Sequence, residues 1–389
     1  MSTKVKVRVL VAIAAAILLI RVFFSSSGEA AVLHVMAADE DSRISYNYDS
    51  GALFYSYNSR DFFFSTKDSV KLMSSRGEVH WEDIISLTAP ILYGKSDVVA
   101  IGEARGHTIY VFNTLGRIME QRFDAPIQRF SVNKSGYLTV ILQTASGYRI
   151  EAYRPGRENF IWQYNIITPN LFPISADTSP DGRIAAVSML NLTPDARHSM
   201  TTEILFMYTN QADALTVEGA DGIFAGKTLH DQLAQISFMD NRLLVVTDRQ
   251  IIAFSFNNND DVILDWELPL RNRISQFSTY GESGFAFVTG EPFSEFYDEG
   301  QAVGELLFYN MNGRSTGSFH FGSEADYLSM NMGGAIVGNG RNFSAVSNRG
   351  SLLWEYSSPM DLSQFIFIDN VNTALKAGLS HALIIRRST

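Results

Sequence analysis

Side chains able to do chemistry are present in this chain, but their spacing completes no known catalytic or metal-binding pattern. The histidines are His34, His80, His107, His198, His230, His320 and His381. None forms His-x-x-x-His or His-Glu-x-x-His, which set two imidazoles on one helix face around zinc. Gly313-Arg-Ser-Thr-Gly317 matches the letters of a serine nucleophile elbow. That elbow needs a strand before the serine and a helix after it. Here Leu306–Tyr309 and Ser318–Phe321 both read as strands, so Ser315 is expected in a hairpin. Gly333–Gly340 is glycine-rich but lacks the Lys-Ser/Thr of a phosphate loop, and its glycines suit tight turns. Asn257–Asp261 offers oxygen ligands without the spacing and glycine of a calcium loop, and reads as a solvated hairpin turn. There is no cysteine, which removes disulfides, thiolate zinc sites, iron–sulfur clusters and cysteine nucleophiles together. No catalytic residue, no metal and no cofactor is expected.

One stretch has the chemistry of a protein contact. In Glu291–Glu299 the aromatics Phe293, Phe296 and Tyr297 are interleaved with Glu291, Glu295, Asp298 and Glu299. Exposed aromatics among acids suit a partner surface; a locally packed loop is the alternative. Asn191–Ser199 and Gly219–Gln232 also lengthen their units and are expected to shape a rim.

These residues must be positioned by strands. Aromatics make up 12% of the 389 residues and only 19% are charged, with no low-complexity tract, a composition that favours a folded β protein over a disordered chain. The net charge is −10. Because Lys4, Lys6, Arg8 and Arg21 lie in a segment without acids, the remainder is more acidic still. With no basic cluster among aromatics, nucleic acid is not an expected partner.

Lys4, Lys6 and Arg8 precede the apolar run Val9–Ile20, which continues past Arg21 as Val22-Phe23-Phe24. Positive charge before an apolar run keeps the N-terminus cytoplasmic and sends the rest of the chain across a membrane. Val9–Phe24 falls just short of the roughly 17–25 residues of a spanning helix. Arg21 can snorkel to the interface. The expectation is therefore an uncleaved signal anchor, with a cleaved signal peptide as the alternative and small residues near Ala30-Ala31 or Ala37-Ala38 for cleavage. Residues 1–24 are assigned to the tail and anchor helix, 25–42 to a juxtamembrane linker and 43–389 to the folded domain. The absence of cysteine fits an envelope that makes little use of disulfides, such as a Gram-positive-type surface.

From about Arg43 the chain repeats short strands such as Tyr137–Leu142, Arg183–Ser188, Arg242–Thr247 and Gln250–Phe256. Turns such as Lys134–Gly136, Ser179–Gly182, Met239–Asn241 and Gly281–Gly284 separate them. Only Leu229–Gln235 reads as a short helix. Trp81, Trp162, Trp266 and Trp354 each close a unit, and alternate units end without tryptophan in Gly116–Phe123, Ala212–Val217 and Gly313–Phe319. The spacing fits units of roughly 40–50 residues, the size of propeller blades. Such a blade buries both faces only when neighbours stack on it. The predicted blades are 51–83, 84–123, 124–165, 166–217, 218–268, 269–320 and 321–357. The last takes Phe365–Ile368, Thr373–Lys376 and Ala382–Arg386 from the C-terminus and Arg43–Asp49 from the start, which closes the ring and removes two exposed edges. The fold expected is an all-β, eight-bladed propeller (seven is the alternative) of four-stranded antiparallel blades behind one N-terminal transmembrane or signal helix.

The tryptophan-bearing strand ends and turn spacing resemble the quinoprotein-like branch of the β-propellers, within a WD-repeat-like superfamily. The plan of one N-terminal segment plus one propeller resembles an uncharacterised family of bacterial membrane-anchored proteins. The resemblance implies tryptophans packed between blades. Quinone-dependent members typically carry a vicinal cysteine pair, so its absence argues against a quinone, and the His-Trp-Asp signatures of WD repeats are also missing. The function expected is a non-catalytic scaffold outside the cell membrane that binds an envelope protein or polymer. An envelope hydrolase or lyase acting on glycans at the channel is the alternative, and small-molecule sensing a third.

Overall fold

The computed structural model describes residues 36–38, 43–57, 60–193, 199–210, 222–257, 261–281, 283–293, 303–331, 333–368 and 371–387. The expected N-terminal helix lies outside them. They contain strands and turns, with no helix.

The strands form eight sheets in a ring, each paired in chain order from an inner strand to an outer one. Blade one runs from Leu53 to Ile84, blade two from Ile91 to Arg122, and blade three from Ile127 to Ile166. Blade four spans Leu171–His230, blade five Ala234–Pro269, blade six Asn272–His320 and blade seven Tyr327–Ser357. Blade eight takes Gln364–Phe367, Thr373–Ala377 and His381–Arg387 from the C-terminus. Its outer edge is supplied from the start of the domain, so eight blades is the count and the ring closes as expected.

Three sequence expectations need correction. The closing strand begins earlier than Arg43: Met36–Ala38, in the stretch read as linker, pairs with the last strand from Met36↔Arg387 to Ala38↔Ile385. Ile44–Ser45 then continues the same edge opposite Ala382 and His381. Blade four does not end at Val217. Its outer strand is Ile223–His230, and residues 211–221 lie outside the described chain. Leu229–Gln235 is no helix, because it holds the end of that strand, a turn at Asp231 and the start of blade five. Asp231 has φ +52°, a left-handed conformation that stops a right-handed helix. Its Oδ1 accepts hydrogen bonds from the backbone of Ser199 and Met200.

The core is divided between blades. Eight buried apolar clusters occur among the described residues, one at each seam of the ring. Second strands are therefore covered on both faces and read as continuous apolar runs: Val98–Gly102 is buried throughout. Outer strands alternate, as Val262–Pro269 does, because one edge meets solvent. All four tryptophans sit in these seam clusters. Trp81, Trp266 and Trp354 each donate the indole N–H to a carbonyl of the next blade, at Thr114, Met311 and Val371 respectively.

Candidate functional site: the central channel

Inner strands run side by side around the axis, so their side chains set the chemistry of the channel. Polar groups tie neighbouring inner strands at matching heights. Ser131 Oγ donates to the Ala176 carbonyl and Asn133 Nδ2 to the carbonyls of Thr178 and Ser179. Ile236 N–H donates to Ser175 Oγ and Phe238 N–H to Asp177 Oδ2. Asp177 also accepts from Thr178 N–H and Ser131 Oγ, so one buried carboxylate joins blades three, four and five. Burial pushes its pKa up, against the pull of Lys95 and of its own hydrogen bonds. A charge held away from water is costly even when its lone pairs are satisfied.

At the end where inner strands turn into second strands, side chains cross the axis. Lys95 of blade two donates to Ser237 Oγ of blade five at 3.1 Å and also meets the Met239 sulfur. Tyr280 of blade six donates to the Tyr57 carbonyl of blade one at 2.9 Å. Lys134 of blade three pairs with Asp240 of blade five at 2.6 Å. Glycine permits the close packing beneath: a Cβ on Gly94 would stand 2.4 Å from the Tyr55 ring. Above these ties lie two adjoining cavities of about 380 and 230 Å³. The first is walled mainly by blades one, two, six, seven and eight, the second mainly by blades two to five.

The stretch singled out as a partner surface divides. Phe293 is buried, 2% exposed, beneath the guanidinium groups of Arg249 and Arg273 at 4.5 and 5.4 Å from its centroid. It is an anchor of the loop and offers no exposed ring. Glu291 is exposed on a strand and lines a groove of about 740 Å³ with Arg273, Glu324 and Asp326, between blades six and seven. Glu295, Phe296, Tyr297, Asp298 and Glu299 lie outside the described residues.

The other motifs resolve into turns. Ser315 opens an outer strand, Ser315–His320, after Glu305–Asn310, so strands flank it on both sides. The glycines of its motif are packing devices. Gly313 has φ +71°, and a Cβ there would reach within 2.7 Å of the Trp266 ring; a Cβ on Gly317 would stand 2.3 Å from the Arg349 backbone. Gly340 turns with φ +61°. Asn257 and Asp261 hydrogen-bond each other across their turn. His80 is paired with Asp61 at 2.8 Å. No group of three metal-capable side chains occurs among the described residues. The sequence did not point to Arg129, Lys95 or Asp177. Each is a lone charge in a strand, and only its position on an inner strand marks it.

The fold and channel define a β-propeller. Similar solved structures include BamB from Moraxella catarrhalis (12% identity, 90% of this chain and 100% of that one, TM-score 0.51). The C-terminal WD40 domain of Sif2 is also similar (9% identity, 92% and 99% coverage, TM-score 0.55). At such identities the likeness is one of fold. Residues 36–377 match the model of a family of unknown function, DUF5711, and the chain belongs to that family. The match starts at the closing strand. A search of curated proteins gives no match.

Proposed function

We propose that the protein is a non-catalytic binding scaffold held at the outer face of a cell membrane by its N-terminal segment, with an envelope protein or polymer as partner. The observation that carries the reading is a pair of long connections on one face of the ring; a third, 209–222 in blade four, joins third and fourth strands on the opposite face. Second and third strands are joined by 192–200 in blade four and 293–304 in blade six. Both connections open on the face that also carries the inter-blade links. The Glu291 groove lies beside the second of them. A propeller supplies a rigid ring and leaves recognition to such loops. The net charge of −10 favours a partner with a basic contact surface.

Cross-linking in intact cells, with subsequent capture of the tagged full-length protein, tests the reading. A reproducible envelope partner, lost when Glu295–Glu299 is replaced by a Gly/Ser segment, is the expected result. A clean monomer with no cross-linked partner would refute it. Protease accessibility in intact cells tests the location separately, since an extracytoplasmic propeller is digested without lysis.

A further inference from the structure

The smaller channel cavity carries two cations in a protein that is otherwise strongly acidic. Arg129 lies on the inner strand of blade three and is exposed to the 230 Å³ cavity. Its guanidinium makes no ion pair or hydrogen bond with any described residue. Lys95 enters the same cavity from blade two, where it donates to the Ser237 hydroxyl and meets the Met239 sulfur. The one carboxylate in the lining, Asp177, is turned into the wall, where it accepts from two backbone N–H groups and a serine. Two cations and one carboxylate thus line the space.

The two cations differ in height along the axis. Arg129 stands two residues before Ser131, which is level with Ala176 and Asp177, while Lys95 reaches the level of Ser237. Two residues of strand correspond to about 6.6 Å of rise, so the two residues enter the channel at different heights. A short molecule with a carboxylate at each end can meet both, with Gln235 and Ser175 as further polar groups of the lining. Tyr93 adds an apolar wall: it is 45% exposed, with its ring held edge-on against Phe130 at 5.0 Å. A guanidinium takes a carboxylate in bidentate fashion, and an ammonium takes the second as a point charge.

We propose that the channel binds a small dicarboxylate of four or five carbons between Arg129 and Lys95. The cavity is too small for a folded peptide or a polysaccharide chain, and the ties at the far end stop a longer ligand from threading through. This site does not depend on the scaffold reading.

Isothermal titration of the full-length protein in detergent, at low salt, tests it with succinate as probe. Inorganic phosphate and the neutral diamide of succinate serve as comparators. The expected result is one-to-one binding of succinate and none of the diamide. Arg129→Gln should weaken binding at least tenfold without lowering the melting temperature, since Arg129 holds no described partner. Lys95→Gln should weaken it also, and Arg129→Lys should retain part of the affinity. Absence of succinate binding, equal binding by Arg129→Gln, or binding of phosphate alone would overturn the proposal.

Discussion

Replacing Trp354 with alanine strikes the seam beside the closing blade. Trp354 is 1% exposed and belongs to the cluster joining blades seven and eight. Its ring lies 5.7 and 5.8 Å from Phe365 and Phe367. Its indole N–H reaches the Val371 carbonyl at 2.9 Å. Truncating a buried tryptophan costs about 3–5 kcal/mol through lost burial and the cavity left behind. The abandoned carbonyl adds about 1 kcal/mol unless water reaches it. Trp354→Ala should therefore lose about 4–6 kcal/mol, and Trp354→Phe, which keeps most of the apolar bulk, about 1–2 kcal/mol. Trp81→Ala should cost less than Trp354→Ala, because Trp81 is only half-buried in its seam. Equilibrium urea unfolding monitored by far-UV circular dichroism reads these differences without relying on the fluorophore removed. A loss below about 1 kcal/mol for Trp354→Ala, or equal losses for alanine and phenylalanine, would refute the view that this indole locks the seam.

The packing sets two further outcomes. Gly317→Ala should destabilise by about 1–3 kcal/mol, because the added Cβ meets the Arg349 backbone of the next blade at 2.3 Å. Ser315→Ala, exposed in the same strand, should leave the urea midpoint unchanged, and a reversed order would show that the motif has a role other than packing. Asp177→Ala leaves the N–H groups of Phe238 and Thr178 without their acceptor and should cost about 2–5 kcal/mol. Asp177 has a folded pKa above its unfolded value. Its contribution is thus full below the ordinary carboxylate range and declines as pH rises through the raised value. The stability gap between wild type and Asp177→Ala should be wider near pH 4 than near pH 8, and a gap that widens with pH instead would contradict a raised pKa.

The repeat was legible because its signals are local. Trp81, Trp162, Trp266 and Trp354 mark outer strands, and turns such as Ser179–Gly182 recur at blade intervals, so blade number and ring closure could be read. Blade four failed at Val217 because its outer strand Ile223–His230 shows mixed exposure and carries no tryptophan. The closing edge was placed too late because Met36–Ala38 is short and its partner, the last strand, is distant in sequence. Phe293 was expected among exposed aromatics. Its burial depends on Arg249 and Arg273, one of them on the neighbouring blade, and no pattern within Glu291–Glu299 announces that cover.

By itself, then, the sequence determined an all-β ring of eight four-stranded blades, because strand length, turn chemistry and seam tryptophans are properties of neighbouring residues. It also determined the absence of thiol chemistry, which is a matter of composition. Only the tertiary structure decided which charges meet. Lys95, Arg129 and Asp177 are lone residues on separate blades until ring closure brings their inner strands around one axis. Burial then takes the Asp177 carboxylate out of water, while Lys95 and Arg129 stay open to the channel cavity, and that difference in surroundings gives an otherwise unremarked trio its chemistry.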